Sequence, residues 1–237
     1  MQRRHFHLAS AGVFSNLILA TYQQAYALSL GDLASISNSD ASAGLKTALE
    51  KGALAAVALL GKTDGFFGND KVRIPLPGYL NDVAGLLKNL GQGKRIDELT
   101  LSLNRAAEAA VPMGKTLLVD AVKNMSVTDA KNILAGGDTS MTKFFADKTR
   151  APLGITFLPI VTKATERVGL LTKYNEFAGK AAGFGLVKKE DANIQQYVTG
   201  KSLDGLYLII GEEEKKIRRD PVGTGSAILK KVFGAMK

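Results

Sequence analysis

Apolar residues recur along this chain at three- and four-residue steps almost wherever a pattern can be read. Between Ser42 and Leu60, the residues Leu45, Leu49, Ala53, Ala56 and Leu60 mark one helical face, and Gly61 follows as a stop. Further helices are predicted over 79–90 and from Ile96 to the neighbourhood of Pro112, where a backbone donor is lost. Others follow over 113–125, 126–136 and 139–148, the fifth of these six opening on Ser126-x-x-Asp129, a capping box. Pro152 suits a first helical turn and Pro159 should bend the helix that follows, with the spacing continuing through Val161, Val168, Leu171 and Phe177. Segments 190–198, 202–219 and 227–233 complete the set. Strand alternation occurs once, at Val72, Ile74 and Leu76, where Pro75 and Pro77 restrict it to an edge or an irregular loop. The fold class is therefore all-α: a single multi-helix domain of about nine or ten helices, several short or Pro-kinked, with at most one short extended segment near 72–76.

The first 27 residues break from this pattern. Arg3 and Arg4 precede an apolar run from Leu8 to Ala20, and Ala25-Tyr26-Ala27 is a small-x-small cleavage sequence. The run is too short for a permanent membrane span. Residues 1–27 thus read as a signal peptide cleaved after Ala27. The paired arginines resemble a twin-arginine signal, and the choice between that route and the general secretory one stays open. Residues 28–41, rich in Ser, Asn and Asp, read as a flexible lead-in, and 42–237 as one helical domain. The expected location is periplasmic, with no transmembrane anchor in the mature chain.

Composition narrows the chemistry. The chain has no Cys, and its two histidines, His5 and His7, fall in the signal. A mature chain without Cys or His has no disulfide, no thiolate, no Ser-His-Asp triad and none of the usual zinc ligands. Losing Arg3 and Arg4 lowers the formal charge from +9 to +7, which favours acidic neighbours such as an anionic envelope component or another periplasmic protein. No interleaving of aromatic and basic residues supports nucleic acid as a partner. No cofactor is implied.

Charged residues on the apolar stripes are the features that stand out. Leu101, Asn104, Glu108 and Val111 share one stripe, with Ala107 beside it; alanine neighbours let another helix come close. Leu203, Tyr207, Ile210, Glu214 and Ile217 form a second, with Arg218 one turn past Glu214. A carboxylate in such a place is tolerable only if paired, because an isolated buried charge costs several kcal/mol. Arg105 and Arg218 are the partners at hand. Asn104, Arg105, Glu108, Tyr207, Glu214 and Arg218 therefore form a candidate binding or structural network. No catalytic residue is assigned. Asp138, after Gly136-Gly137, is expected to cap the next helix rather than leave an anion site.

Other motifs have simpler explanations. Ala56–Thr63 and Ala109–Thr116 match the relaxed pattern [AG]-x-x-x-x-G-K-[ST], but both start inside helical patterns with no preceding strand, so neither is a phosphate loop. Asp64, Asn69 and Asp70 offer oxygen ligands in one Gly-rich loop without EF-hand spacing, and turn chemistry accounts for them equally well.

The segments DGFFGNDKVRIPLP, NRAAEAAVP, VTDAKNILAGGDTSMTKFF, LDGLYLIIGEEEKKIRRDP and ILKKVFG, in that order, resemble the bacterial family catalogued as domain of unknown function 4197 (DUF4197), over about residues 41–235. The resemblance implies an exported helical protein and supplies no activity and no catalytic residues. The expected function is a non-enzymatic domain that binds a small ligand, an envelope component or a protein partner. One alternative is a periplasmic hydrolase or lyase using Glu108 or Glu214 as acid or base. The other is a peripheral membrane protein using the basic segment Lys215, Lys216, Arg218, Arg219, Lys230 and Lys231 beside Val232 and Phe233.

Overall fold

The computed structural model describes residues 38–78, 93–166 and 193–220, with the single positions 80, 84, 89, 91 and 175. Among them every regular element is helical: α1 (Asn38–Leu60), α2 (Gly93–Ala110), a 3-10 turn (Val111–Gly114), α3 (Lys115–Lys123), α4 (Val127–Ala135), α5 (Ser140–Thr165) and α6 (Ile194–Arg219). The all-α class is what the structure shows; a count of nine or ten helices is not reached among the described residues. The helices expected over 79–90 and 227–233, the spacing through Val168, Leu171 and Phe177, and the signal peptide lie wholly or largely outside them.

Two expected boundaries are absent. Segments 139–148 and 152 onward form one helix, α5, which runs through both Pro152 and Pro159. Phe145, Thr149, Leu153, Phe157 and Val161 are buried along it at every turn, so packing holds the helical path where proline withdraws a backbone bond. Pro159 lies on the exposed side, where water can meet the freed carbonyl. Similarly, 190–198 and 202–219 join as α6 across Gly200, because Val198 and Thr199 before it and Ser202 and Leu203 after it are all buried. The N-cap of α6 is Asn193, whose side chain accepts from the Gln196 amide at 3.0 Å. Further upstream, α1 starts at Asn38, ahead of the expected Ser42.

At Pro112 the chain behaves as expected. The helix α2 ends at Ala110, and the proline occupies the first turn of the 3-10 element, where its missing N–H costs nothing. The capping box is also present: Ser126 Oγ accepts from the Asp129 amide, and Asp129 accepts from the Ser126 amide.

The two longest helices, α5 and α6, pack against each other; α6 also lies on α1 and α2, and α5 on α2. The core between them includes Leu45, Leu49, Leu103, Phe145, Phe157, Leu206 and Ile210. Both glycines of the false phosphate-loop matches are close-packing points. A Cβ on Gly61 would lie 2.6 Å from Pro112 Cγ, and one on Gly114 would lie 2.9 Å from Leu153. Each Gly-Lys-Thr thus marks a place where backbone meets a neighbouring side chain.

Candidate functional site

The loop over 61–78 has almost no regular structure, so its backbone polar groups need partners from elsewhere. Its own turns satisfy some: the Gly68 amide donates to Asp64 O, and the Val72 and Arg73 amides donate to Asn69 O. The helices on either side provide further partners. Asn104 on α2 accepts from the Ile74 amide at 2.8 Å and donates back to the Ile74 carbonyl at 2.9 Å, as a neighbouring strand would. Its second donated bond goes to Thr100 O at 2.8 Å. From α6, Tyr197 Oη donates to Pro75 O at 3.1 Å. Val72, Ile74 and Leu76 point inward and Lys71, Arg73 and Pro75 outward, so the expected alternation is real. No strand forms, because side chains rather than a second strand complete the pairing.

One turn beyond Asn104, Glu108 holds the front of the same loop. Its Oε1 accepts from the consecutive amides of Phe66 and Phe67, each at 3.1 Å. Its Oε2 accepts from Arg105 Nη1 at 2.6 Å. Arg105 Nη2 continues to Asp64 Oδ1 at 2.8 Å, and these two carboxylates raise the arginine pKa further, the Glu108 hydrogen bond more than the Asp64 one. Asp64 sits at φ +63°, a left-handed conformation that Asp tolerates better than most residues. Beneath the loop, the Phe66 ring fits against α6 at Gly205, where a Cβ would come within 2.7 Å of it.

Glu214 makes a second arrangement of the same kind. Its Oε1 accepts from the Met141 amide at 3.0 Å and from Arg218 Nε at 3.1 Å. Its Oε2 accepts from the Thr142 amide and Thr142 Oγ1, both at 2.9 Å. These amides belong to the first turn of α5, where four N–H groups lack helical partners and the dipole favours negative charge. Glu214 therefore caps α5 from another helix. The expectation for Asp138 is corrected accordingly: Thr139 is the N-cap, it makes no side-chain cap bond, and Asp138 is exposed. Arg218 completes the joint by donating to Ser140 Oγ at 2.7 Å and to Ile133 O, near the end of α4, at 3.1 Å.

The remaining candidates have ordinary surroundings. Tyr207 is buried with its hydroxyl 2.9 Å from Thr149 Oγ1, and burial pushes its pKa up. Asn69 Oδ1 accepts from the Lys71 amide, a turn-type bond, while Asp64 is paired to Arg105. No group of three or more Asp, Glu, His or Cys among the described residues could hold a metal ion.

The two predicted acid–arginine pairs thus form, and Glu108 and Glu214 share no bonding partner. They are two separate clamps rather than one central network. Neither Glu108 nor Glu214 itself lines the opening of about 590 Å³ between α4 and the start of α5 or the groove of about 610 Å³ between the loop and α2. The residues missed from sequence are those that face the carboxylates across long separations: Phe66 and Phe67 for Glu108, Met141 and Thr142 for Glu214, and Tyr197 for Pro75. A carboxylate on an apolar stripe predicts that some donor must face it, without saying which.

No helix among the described residues is long and apolar enough to cross a membrane. Comparison with known proteins returned no matching curated protein and no matching solved structure. A family model does match residues 35–234, described as "Protein of unknown function (DUF4197)". The chain belongs to the DUF4197 family.

Proposed function

We propose that this protein is an exported, non-enzymatic helical domain that binds a small ligand, envelope component or protein partner in the periplasm. The observation that carries the non-enzymatic part is the saturation of both buried carboxylates. Each oxygen of Glu108 and Glu214 already accepts from a backbone amide or a guanidinium, and the residues are 5% and 0% exposed. A general acid or base must come within hydrogen-bond reach of a substrate proton, which neither can do without dismantling its clamp. Export is supported by the Arg3-Arg4, apolar-run and Ala-x-Ala order of the N-terminus. Binding is supported by the open clefts beside the rigidly held loop and beside the start of α5.

Native mass spectrometry of the protein isolated from the periplasm tests this reading. The expected spectrum shows a mature mass lacking residues 1–27, with an adduct or partner that is lost on denaturation. A bare apo mass with no co-purifying partner would overturn it.

A further inference from the structure

The groove between the loop and α2 is lined by Phe67, Asp70, Arg73, Pro75, Leu76 and Ile96, with Ala84, Asp97 and Thr100 completing it. Its volume, about 610 Å³, lies within the range of small-molecule sites. Two of its features bear on what it could hold. The first is an arginine held in place without a carboxylate. Arg73 lies 4.2 Å from the centre of the Phe67 ring, an attraction that orients a guanidinium while leaving its N–H groups free. The backbone that carries the ring is held in turn, because the Phe67 amide donates to Glu108. The second is an acid that does not pair with that arginine. Asp70 lines the same groove three residues away, and among the described residues neither it nor Arg73 takes part in an ion pair. Elsewhere in the loop such opposites do pair, as Arg105 does with Asp64 and Lys71 with Glu212.

Of the three charged residues lining the groove, Asp97 already has a partner, whereas Arg73 and Asp70 form no ion pair among the described residues and match a ligand that carries the complementary charges at its two ends. From this we infer that the groove binds a short peptide with free termini and apolar side chains. Its carboxylate would meet Arg73, its ammonium Asp70, and its side chains Pro75, Leu76 and Ile96. A free carboxylate suits the planar guanidinium, which can donate two parallel bonds to it. A simple anion would leave Asp70 unanswered, and a simple cation Arg73. This assignment rests on the binding-domain reading above and names its ligand class.

Calorimetric titration of the mature protein provides the test, with leucyl-leucine as probe. The matched controls are its N-acetylated form, its C-terminal amide, and free leucine. Leucyl-leucine is expected to bind, and removing either terminal charge should weaken it by about tenfold, a typical loss for one charge-assisted contact. In Arg73→Gln, the dipeptide should fall to the level of the amide, with the amide itself unchanged. In Asp70→Asn, the dipeptide should fall to the level of the acetylated form. Lys115→Gln on α3 is the charge control and should change nothing. Binding of leucine as tight as that of the dipeptide would overturn the peptide assignment in favour of a free amino acid. Capped peptides that bind as well as the free one, or variants that weaken every form equally, would overturn the proposal. Absence of any dipeptide or leucine binding, alongside an adduct in the native mass spectrum, would remove this ligand class and leave the binding-domain reading intact.

Discussion

The Glu108 and Glu214 clamps use one chemical device for two different problems. In each, a carboxylate on a helix accepts from two consecutive backbone amides and from an arginine within one turn of its own helix. At Glu214 the amides are the first turn of a long helix that lacks a local cap, and Arg218 binds a carbonyl near the end of α4, so the pair matches the dipoles of two helix ends. Arg218 is 11% exposed and Glu214 fully buried. At Glu108 the amides belong to an irregular loop, and Arg105 is 37% exposed. The sealed clamp joins three helices and keeps its carboxylate fully buried. The solvent-edged clamp steadies a loop whose outer face carries Phe67, Arg73 and a groove. Burial, rather than the identity of the charged pair, separates a joint from a platform.

Removing the carboxylates should expose that difference first. Glu214→Ala leaves Arg218 charged in an enclosed site and the first turn of α5 uncapped, with an expected loss of about 3–5 kcal/mol. Glu108→Ala leaves Arg105 free to turn toward water and to keep Asp64, so its cost should be nearer about 2 kcal/mol, mainly for two stranded amides. Urea unfolding of the two variants gives the comparison directly; equal losses would show that burial does not set the ranking. Within the loop, Asn104→Ala strands both the amide and the carbonyl of Ile74 and should cost about 2 kcal/mol. Its signature beyond stability should be faster amide exchange at Ile74 with the amides of Met141 and Thr142 unaffected.

Tyr207 is also on α6, bonded to Thr149 of α5, and its effect should be smaller. Tyr207→Phe loses the bond to Thr149, worth about 1 kcal/mol. The pH dependence has a definite sign. Burial raises the Tyr207 pKa, so the folded state holds its proton longer than the unfolded chain. That stabilisation is complete below the unfolded pKa near about 10 and is lost as pH rises through the folded value. The wild-type protein should therefore lose stability at strongly alkaline pH more steeply than Tyr207→Phe. Parallel alkaline slopes in the two would contradict this.

Sequence periodicity located Glu108 and Glu214 because a carboxylate on an apolar stripe is anomalous whatever it touches. It located Arg105 and Arg218 because residues three or four apart on a helix are neighbours by geometry. It placed the cap of α5 on Asp138 because capping is normally local, whereas here the cap arrives from Glu214, 72 residues away from Thr142. The same locality explains the two missed helix continuities. Pro152 and Gly200 carry the marks of a boundary, but buried residues on both sides keep the chain helical through them. For the groove, the sequence presented Asp70 as a turn residue with an oxygen ligand to offer and Arg73 as an outward position of the short extended segment. Only the placement of Phe67 under Arg73 gives them a shared surface.

The smallest expected effect concerns the outer edge of the Glu108 clamp. The Arg105–Asp64 pair is short at 2.8 Å, but Asp64 is 56% exposed, and exposed pairs contribute little after screening. Asp64→Asn keeps a side chain that tolerates φ +63° and still accepts from Arg105, so it should cost less than about 0.5 kcal/mol. Asp64→Ala loses the pair and also forces a Cβ-bearing residue without a local hydrogen bond into the left-handed region, for about 1 kcal/mol. Unfolding of both variants at low and high salt separates the causes. A loss in Asp64→Ala that persists at high salt assigns the role of Asp64 to backbone conformation. A loss that vanishes with salt, matched by Asp64→Asn, would assign it to charge and make the exposed clamp more like its buried counterpart than its solvent contact implies.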